Sequence, residues 1–129
     1  MGVKRFDHVA INSRDIAKSK VFYSDILGLA AGKSVDMGQF ILHYMQLPDG
    51  STVELFEHKD RKAYDEFQTK EGFVKHIAFN VDNIEEINQK LKQNNIKFEL
   101  ELCVLDQLQV KALLCVDPDG VIVELAQKI

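Results

Sequence analysis

Two stretches decide the fold: Phe6-Asp7-His8-Val9-Ala10-Ile11-Asn12 and Val74-Lys75-His76-Ile77-Ala78-Phe79-Asn80. Both alternate apolar and small or polar residues, as a half-buried strand does. His8 matches His76 and Asn12 matches Asn80 at one offset, 68 residues. A second correspondence lies downstream. Pro48-Asp49-Gly50 precedes Ser-Thr-Val-Glu54-Leu55, and Pro118-Asp119-Gly120 precedes Val-Ile-Val-Glu124-Leu125, now at an offset of 70. The chain is therefore two copies of one module, about 1–56 and 73–127, joined by a charged connector at 58–72. Two copies are too few for a solenoid, so the modules are expected to pair around one core or one site, making 1–129 a single domain.

Each copy reads in the same order. A strand opens it (about 4–12 and 74–81) and a helix follows. In the first copy Ile16, Phe22, Tyr23, Ile26 and Leu27 form a broad apolar face, and Gly28 stops the helix. In the second, Asp82 is the expected N-cap, with Glu85 completing a capping box, and Ile84, Ile87 and Leu91 on one face. Asn94 and Asn95 end it in a left-handed conformation. Strand-like runs follow at about 33–36, 39–47 and 51–57, then at 97–103, 109–116 and 121–127. Each Pro-Asp-Gly is a turn, because Pro presets φ and Gly accepts a positive φ. The module is β-α-β-β-β and the fold class is α+β. The charge run at 59–70 in the connector is expected to be a solvated helix or loop.

Alternation sorts the polar groups onto faces. Val9 and Ile11 oppose His8, Ala10 and Asn12, while Ile77, Phe79 and Val81 oppose His76, Ala78 and Asn80. Val53 and Leu55 oppose Thr52, Glu54 and Phe56. Val121, Val123 and Leu125 oppose Ile122, Glu124 and Ala126. The strongly apolar set has a helix to pack on. The other set puts one ionisable residue among small or apolar neighbours, as a ligand cavity does. Two imidazoles and two carboxylates, His8, Glu54, His76 and Glu124, make a mixed nitrogen–oxygen site. Such a site suits one divalent transition metal (Fe, Co, Ni, Mn or Zn) rather than Ca or Mg. On a six-coordinate metal it leaves two positions open for chemistry. His43 has no counterpart, Leu113 standing in its place, and is a candidate for the cavity lining. His58 falls in the connector and is expected to be exposed.

Composition closes off other classes. The chain has 129 residues, 46% hydrophobic and 28% charged, with a net charge of -4. That balance buries a core and argues against nucleic-acid binding. Every apolar run is too short to span a membrane. No signal-peptide core follows Met1, so a cytoplasmic location is expected. Cys103 and Cys115 sit in apolar stretches. A hairpin turning near Asp106-Gln107 sets Cys115 opposite Lys97 or Phe98, too far from Cys103 for a disulfide.

Phe-Asp-His8-Val-Ala-Ile, Phe22-Tyr23-x-x-x-Leu27-Gly28, Val-Glu54-Leu-Phe, Lys-His76-Ile-Ala-Phe-Asn-Val and Asp117-Pro118-Asp119-Gly120-x-x-x-Glu124-Leu125 resemble the glyoxalase/bleomycin-resistance/extradiol-dioxygenase (vicinal oxygen chelate) superfamily. The resemblance covers nearly the whole chain. It implies paired βαβββ modules forming an open, cup-shaped mixed sheet around a metal, a small-molecule substrate and a homodimer. Extradiol dioxygenases and fosfomycin-resistance thiol transferases use two His and one Glu, matching His8, His76 and Glu124. Glyoxalase I uses His, Glu, His, Glu in chain order, so Glu54 favours isomerase or lyase chemistry. The resemblance then implies proton transfer next to a carbonyl through a metal-stabilised enediolate. Glu124 is the base, with Glu54 as its symmetric partner. The type reaction turns the hemithioacetal of a 2-oxoaldehyde into a thioester. Alternatives are an extradiol-type dioxygenase using Fe(II) and a small-ligand-sequestering protein. Leu105-Asp106-Gln107-Leu108 lacks the Lys-Gly-Gly stretch of a close bacterial glyoxalase I. A dimer also allows the two His–Glu pairs of one metal site to come from different chains, the arrangement expected here.

Overall fold

Alternating runs punctuated by Pro-Asp-Gly turns produce two sheets of the same design. The computed structural model describes residues 2, 6–62 and 75–129. Contacts divide the chain into two units, Met1–Glu71 and Gly72–Ile129. Unit one runs β1 (His8–Ser13), α1 (Ile16–Lys20), a π-helical segment (Val21–Ile26), β2 (Ala30–Asp36), β3 (Phe40–Gln46) and β4 (Thr52–His58). Its four strands lie in the order β1-β4-β3-β2. Unit two runs β5 (Ile77–Asn80), α2 (Ile84–Gln93), β6 (Phe98–Leu105), a 3-10 turn (Asp106–Leu108), β7 (Val110–Val116) and β8 (Ile122–Lys128). Its order is β5-β8-β7-β6. In each unit the first and last strands pair in parallel and the rest antiparallel. Both are βαβββ modules of an α+β fold.

The core of each unit is the face that alternation assigns to a helix. In unit one Ile11, Met45, Val53 and Leu55 are buried, as are Phe22, Tyr23 and Ile26 of the π-helical segment that continues α1, the helix in contact with β4. In unit two Leu113, Cys115, Val123 and Leu125 are buried, with Ile84 and Leu91 of α2. Burying side chains of this size stabilises by roughly 1.5–3 kcal/mol each relative to exposure. The first helix begins as an α-helix, with Asp15 capping Lys18 N–H at 3.2 Å. It then widens to a π-turn, seen in the Leu27 N–H bond to the Phe22 carbonyl at 3.0 Å. Gly28, at φ 84°, ends it. Ser19 is buried there against Ser13, their hydroxyls 2.6 Å apart.

Several expectations are corrected by one residue or one strand. The N-cap of α2 is Asn83, not Asp82, and its side chain accepts the Glu86 N–H at 3.3 Å. The box therefore moves to Asn83 and Glu86. The chain bends at Asp82 and becomes helical only after Asn83. Glu85 instead takes a bond from Lys111 Nζ at 2.6 Å. At the other end Asn95 alone is left-handed, at φ 56°. Its N–H reaches the Lys92 carbonyl at 3.1 Å, and Ile96 N–H reaches Leu91 at 3.0 Å, a Schellman closure. β2 starts at Ala30, earlier than expected, with a register shift between Ala31 and Ser34. The two Pro-Asp-Gly turns match: Gly50 and Gly120 both have φ 90°, and both close through a 3.1 Å N–H bond to the residue three back.

Phe98 pairs with Cys115 and Cys103 with Ala112, and both cysteines are free. Burial pushes the Cys115 thiol up to about 12. Of the charge run at 59–70, Arg61 and Lys62 are helical. Positions 63–70 lie outside the described residues, as do 4, 5 and 74 of the expected opening strands. Among the described residues no helix is long and apolar enough to cross a membrane.

Candidate metal centre

In unit one β1 lies directly beside β4, pairing His8 with Thr52, Ala10 with Glu54 and Asn12 with Phe56. Paired residues share a face, so His8 and Glu54 stand on the side away from the buried apolar set. Across β3, Tyr44 is opposite Glu54. His8 Nδ1 is 3.2 Å from Glu54 Oε2. The same nitrogen is 2.8 Å from Asp7 Oδ2. The Asp7 hydrogen bond raises the His8 pKa, partial desolvation opposes it, and the Glu54 and Asp7 charges add to the rise. Glu54 is 9% exposed, a carboxylate withdrawn from water with one imidazole beside it.

Unit two repeats the arrangement. Ala78 pairs with Glu124, and Leu114 lies opposite Glu124 on the other side. His76 Nε2 is 3.7 Å from Glu124 Oε2. That is an ion-pair distance, too long for a hydrogen bond. His76 Nδ1 is buried with no hydrogen-bond partner among the described residues. A buried polar atom without a partner is the kind of group a bound ligand or ion satisfies. Each unit thus presents one imidazole and one carboxylate, His8 at the start of β1 beside Glu54 of β4, and His76 just before β5 beside Glu124 of β8, a donor set that fits a borderline transition metal. Among the described residues no three His, Cys, Asp or Glu side chains are grouped so as to hold a metal ion. The four expected ligands occur as two pairs, one per unit.

Two histidines stand elsewhere than expected. His58 is the last residue of β4, half-buried, not an exposed connector residue. Alternation from Glu54 through Phe56 puts it on the Glu54 face, where its Nε2 lies 2.7 Å from Asn12 Oδ1. The alternation was readable in advance, but the strand's end was not. His43 pairs with Leu55, on the face of the buried core, and so does not line the open face. It is 7% exposed, bridging Ser34 Oγ at 2.9 Å and Glu57 Oε1 at 3.0 Å. Asp7 was also missed. A carboxylate next to a histidine in the chain carries no distinctive sequence signal, because neighbours on an ideal strand point apart.

The sequence model of the Glyoxalase/Bleomycin resistance protein/Dioxygenase superfamily matches residues 5–125. The chain is 30% identical over 130 residues to "Uncharacterized protein YaeR" of Escherichia coli (strain K12), covering 99% of each. It is 30% identical over 122 residues to a Synechocystis sp. protein named "Probable lactoylglutathione lyase", covering 93% of this chain and 92% of that one. In fold it is similar to the trypanothione-dependent glyoxalase I of Leishmania major, with a TM-score of 0.76 and 21% identity over 98% of this chain and 88% of that one. The match spans both βαβββ units and all four paired His and Glu residues, and the chain belongs to the glyoxalase/bleomycin resistance/dioxygenase superfamily.

Proposed function

We propose that this chain is a metal-dependent isomerase or lyase of the glyoxalase type, acting on a small molecule with two vicinal oxygens. The observation that carries the reading is the recurrence of one close His–Glu pair at matching sequence positions in both units. His8, Glu54, His76 and Glu124 would hold one divalent transition metal, one of Fe, Co, Ni, Mn or Zn. When bound, the metal supplies Lewis-acid polarisation of the substrate oxygens.

The side chains do the rest. Glu124 is the base that takes a proton from the carbon beside the carbonyl and returns it to the neighbouring carbon. Its 25% side-chain exposure leaves it reachable, whereas Glu54, at 11%, is the more enclosed partner. Asp7 orients His8, as outer carboxylates do for ligating imidazoles. The likeness to a protein named a lactoylglutathione lyase supports the thioester-forming reaction over oxygen chemistry. A single domain, a homodimer and a cytoplasmic location complete the reading.

The test is elemental analysis of the purified protein, then a panel of 2-oxoaldehyde–thiol adducts and catechols. Stoichiometric metal with thioester formation is expected. Oxygen-consuming ring cleavage of catechols with Fe(II) would replace the reading with a dioxygenase. Tight ligand binding that survives chelation, without turnover, would replace it with a sequestering protein.

A further inference from the structure

The open face of unit one is not a copy of that of unit two. At the repeat offset of 70, Phe40, Tyr44, Phe56 and His58 correspond to Val110, Leu114, Ala126 and Lys128. The registers agree: Phe40 pairs with His58 as Val110 pairs with Lys128, and Tyr44 with Glu54 as Leu114 with Glu124. Both units complete the same four-stranded sheet, so the sheet does not require aromatic residues at these places. Their presence in one copy alone points to a task the copies do not share.

The geometry gives that task a shape. The Phe40 and Phe56 rings stack with centroids 4.5 Å apart and 18° between planes. The His58 ring lies 6.0 Å from Phe40 and 6.3 Å from Phe56. Asn12 holds the His58 ring through its Nε2 at 2.7 Å. All three rings are only half-buried. Tyr44 is engaged differently, with Lys33 Nζ 5.6 Å from its ring centroid. Phe56 is two residues from Glu54 on the same strand face, roughly 7 Å along it, and His58 is about 13 Å away. A ligand with its vicinal oxygens at Glu54 would lay its substituent over Phe56 and end at His58.

We propose that Phe40, Phe56 and His58 form the seat of an aryl substituent, so that the substrate class is an aryl-bearing vicinal-oxygen compound. Flat π-surfaces pair favourably beyond their area, in offset or edge contacts that an alkyl chain cannot make. The His58–Asn12 pair adds a polar stop at the far end, which a featureless apolar groove would lack. This rests on the reading of the His8–Glu54 face as the substrate face.

The experiment titrates the full-length, metal-free protein with phenylglyoxylate and with pyruvate, following Phe and His ring resonances by NMR. Phenylglyoxylate should bind at least tenfold more tightly, with the shifts centred on Phe40, Phe56 and His58. Phe56→Ala, which installs the residue unit two carries at that place, should abolish the preference and leave the fold intact. His58→Phe should retain it and His58→Ala should weaken it. Equal affinities, shifts centred elsewhere, or a preference unchanged in Phe56→Ala would overturn the aryl seat. Binding to the metal-free protein is read separately from catalysis: aryl preference there, with no turnover of any thiol adduct by the metal-loaded protein, would sink the glyoxalase assignment and leave the seat standing.

Discussion

His8 shows how one side chain is specified by groups from different places in the chain. Asp7 precedes it in the chain, just outside β1, and Glu54 comes from the strand beside it, and both carboxylates meet the same ring nitrogen. In the proposed centre His8 and His76 supply nitrogen donors that no carboxylate replaces. His8→Ala and His76→Ala should each lower bound metal to less than about a tenth of the wild-type amount, since losing one ligand of four weakens a site by orders of magnitude. Plasma emission analysis after dialysis reads this directly, and full stoichiometry in both variants would refute the four-ligand site. Glu54 decides between chemistries. Glu54→Gln should weaken metal affinity or cut turnover roughly 100-fold if Glu54 ligates. Unchanged affinity and activity would shift the reading to the His8, His76 and Glu124 set of a dioxygenase.

Among the elements, β3 and β7 occupy the same place in their sheets but fill it differently. His43 and Leu113 both pair with a leucine of the last strand, Leu55 and Leu125. His43 satisfies both ring nitrogens with Ser34 and Glu57, whereas Leu113 is fully buried. His43→Leu should therefore change stability by no more than about 1 kcal/mol, because exposed Ser34 and part-exposed Glu57 can return to water while the leucine gains apolar burial. Urea midpoints at constant m-value measure it, and metal content should not move. The helix α2 offers a pH test. The bond from Lys111 holds Glu85 below its usual value of 4.5. A carboxyl lowered on folding adds stability that is fully present above 4.5 and lost as pH falls through the folded value. Lys111→Met should thus be destabilising at neutral pH, and its difference from wild type should shrink as pH falls below 4.5 through the lowered folded value. Thermal melts across that range would reveal a pH-independent difference if the bond were irrelevant.

For the whole molecule, the proposed metal centre draws one His–Glu pair from each unit. We propose a homodimer in which the His8–Glu54 pair of one chain works with the His76–Glu124 pair of its partner, closed two-fold pairing being the commonest solution for small subunits. Mixing inactive His8→Ala and His76→Ala proteins should then restore activity, because one hybrid site carries both lesions and the other neither. With equal amounts and random exchange, about a quarter of wild-type activity is expected, since half the dimers are hybrids with one intact site each. Proven exchange without recovery would place each site within one chain.

The amino-acid order alone determined the duplication, the βαβββ order and the assignment of His8, Glu54 and Glu124 to the face away from the helix. Those follow from period-two alternation and from turn residues, which act within a few positions. Tertiary structure decided what alternation leaves open: the phase of β3, whose Leu42 and His43 are both nearly buried, and the end of β4, which brings His58 to Asn12. A strand's own pattern says which of its residues share a face. Which residues of the neighbouring strand stand beside them depends on register, and register is set by turns, bulges and packing of the finished sheet.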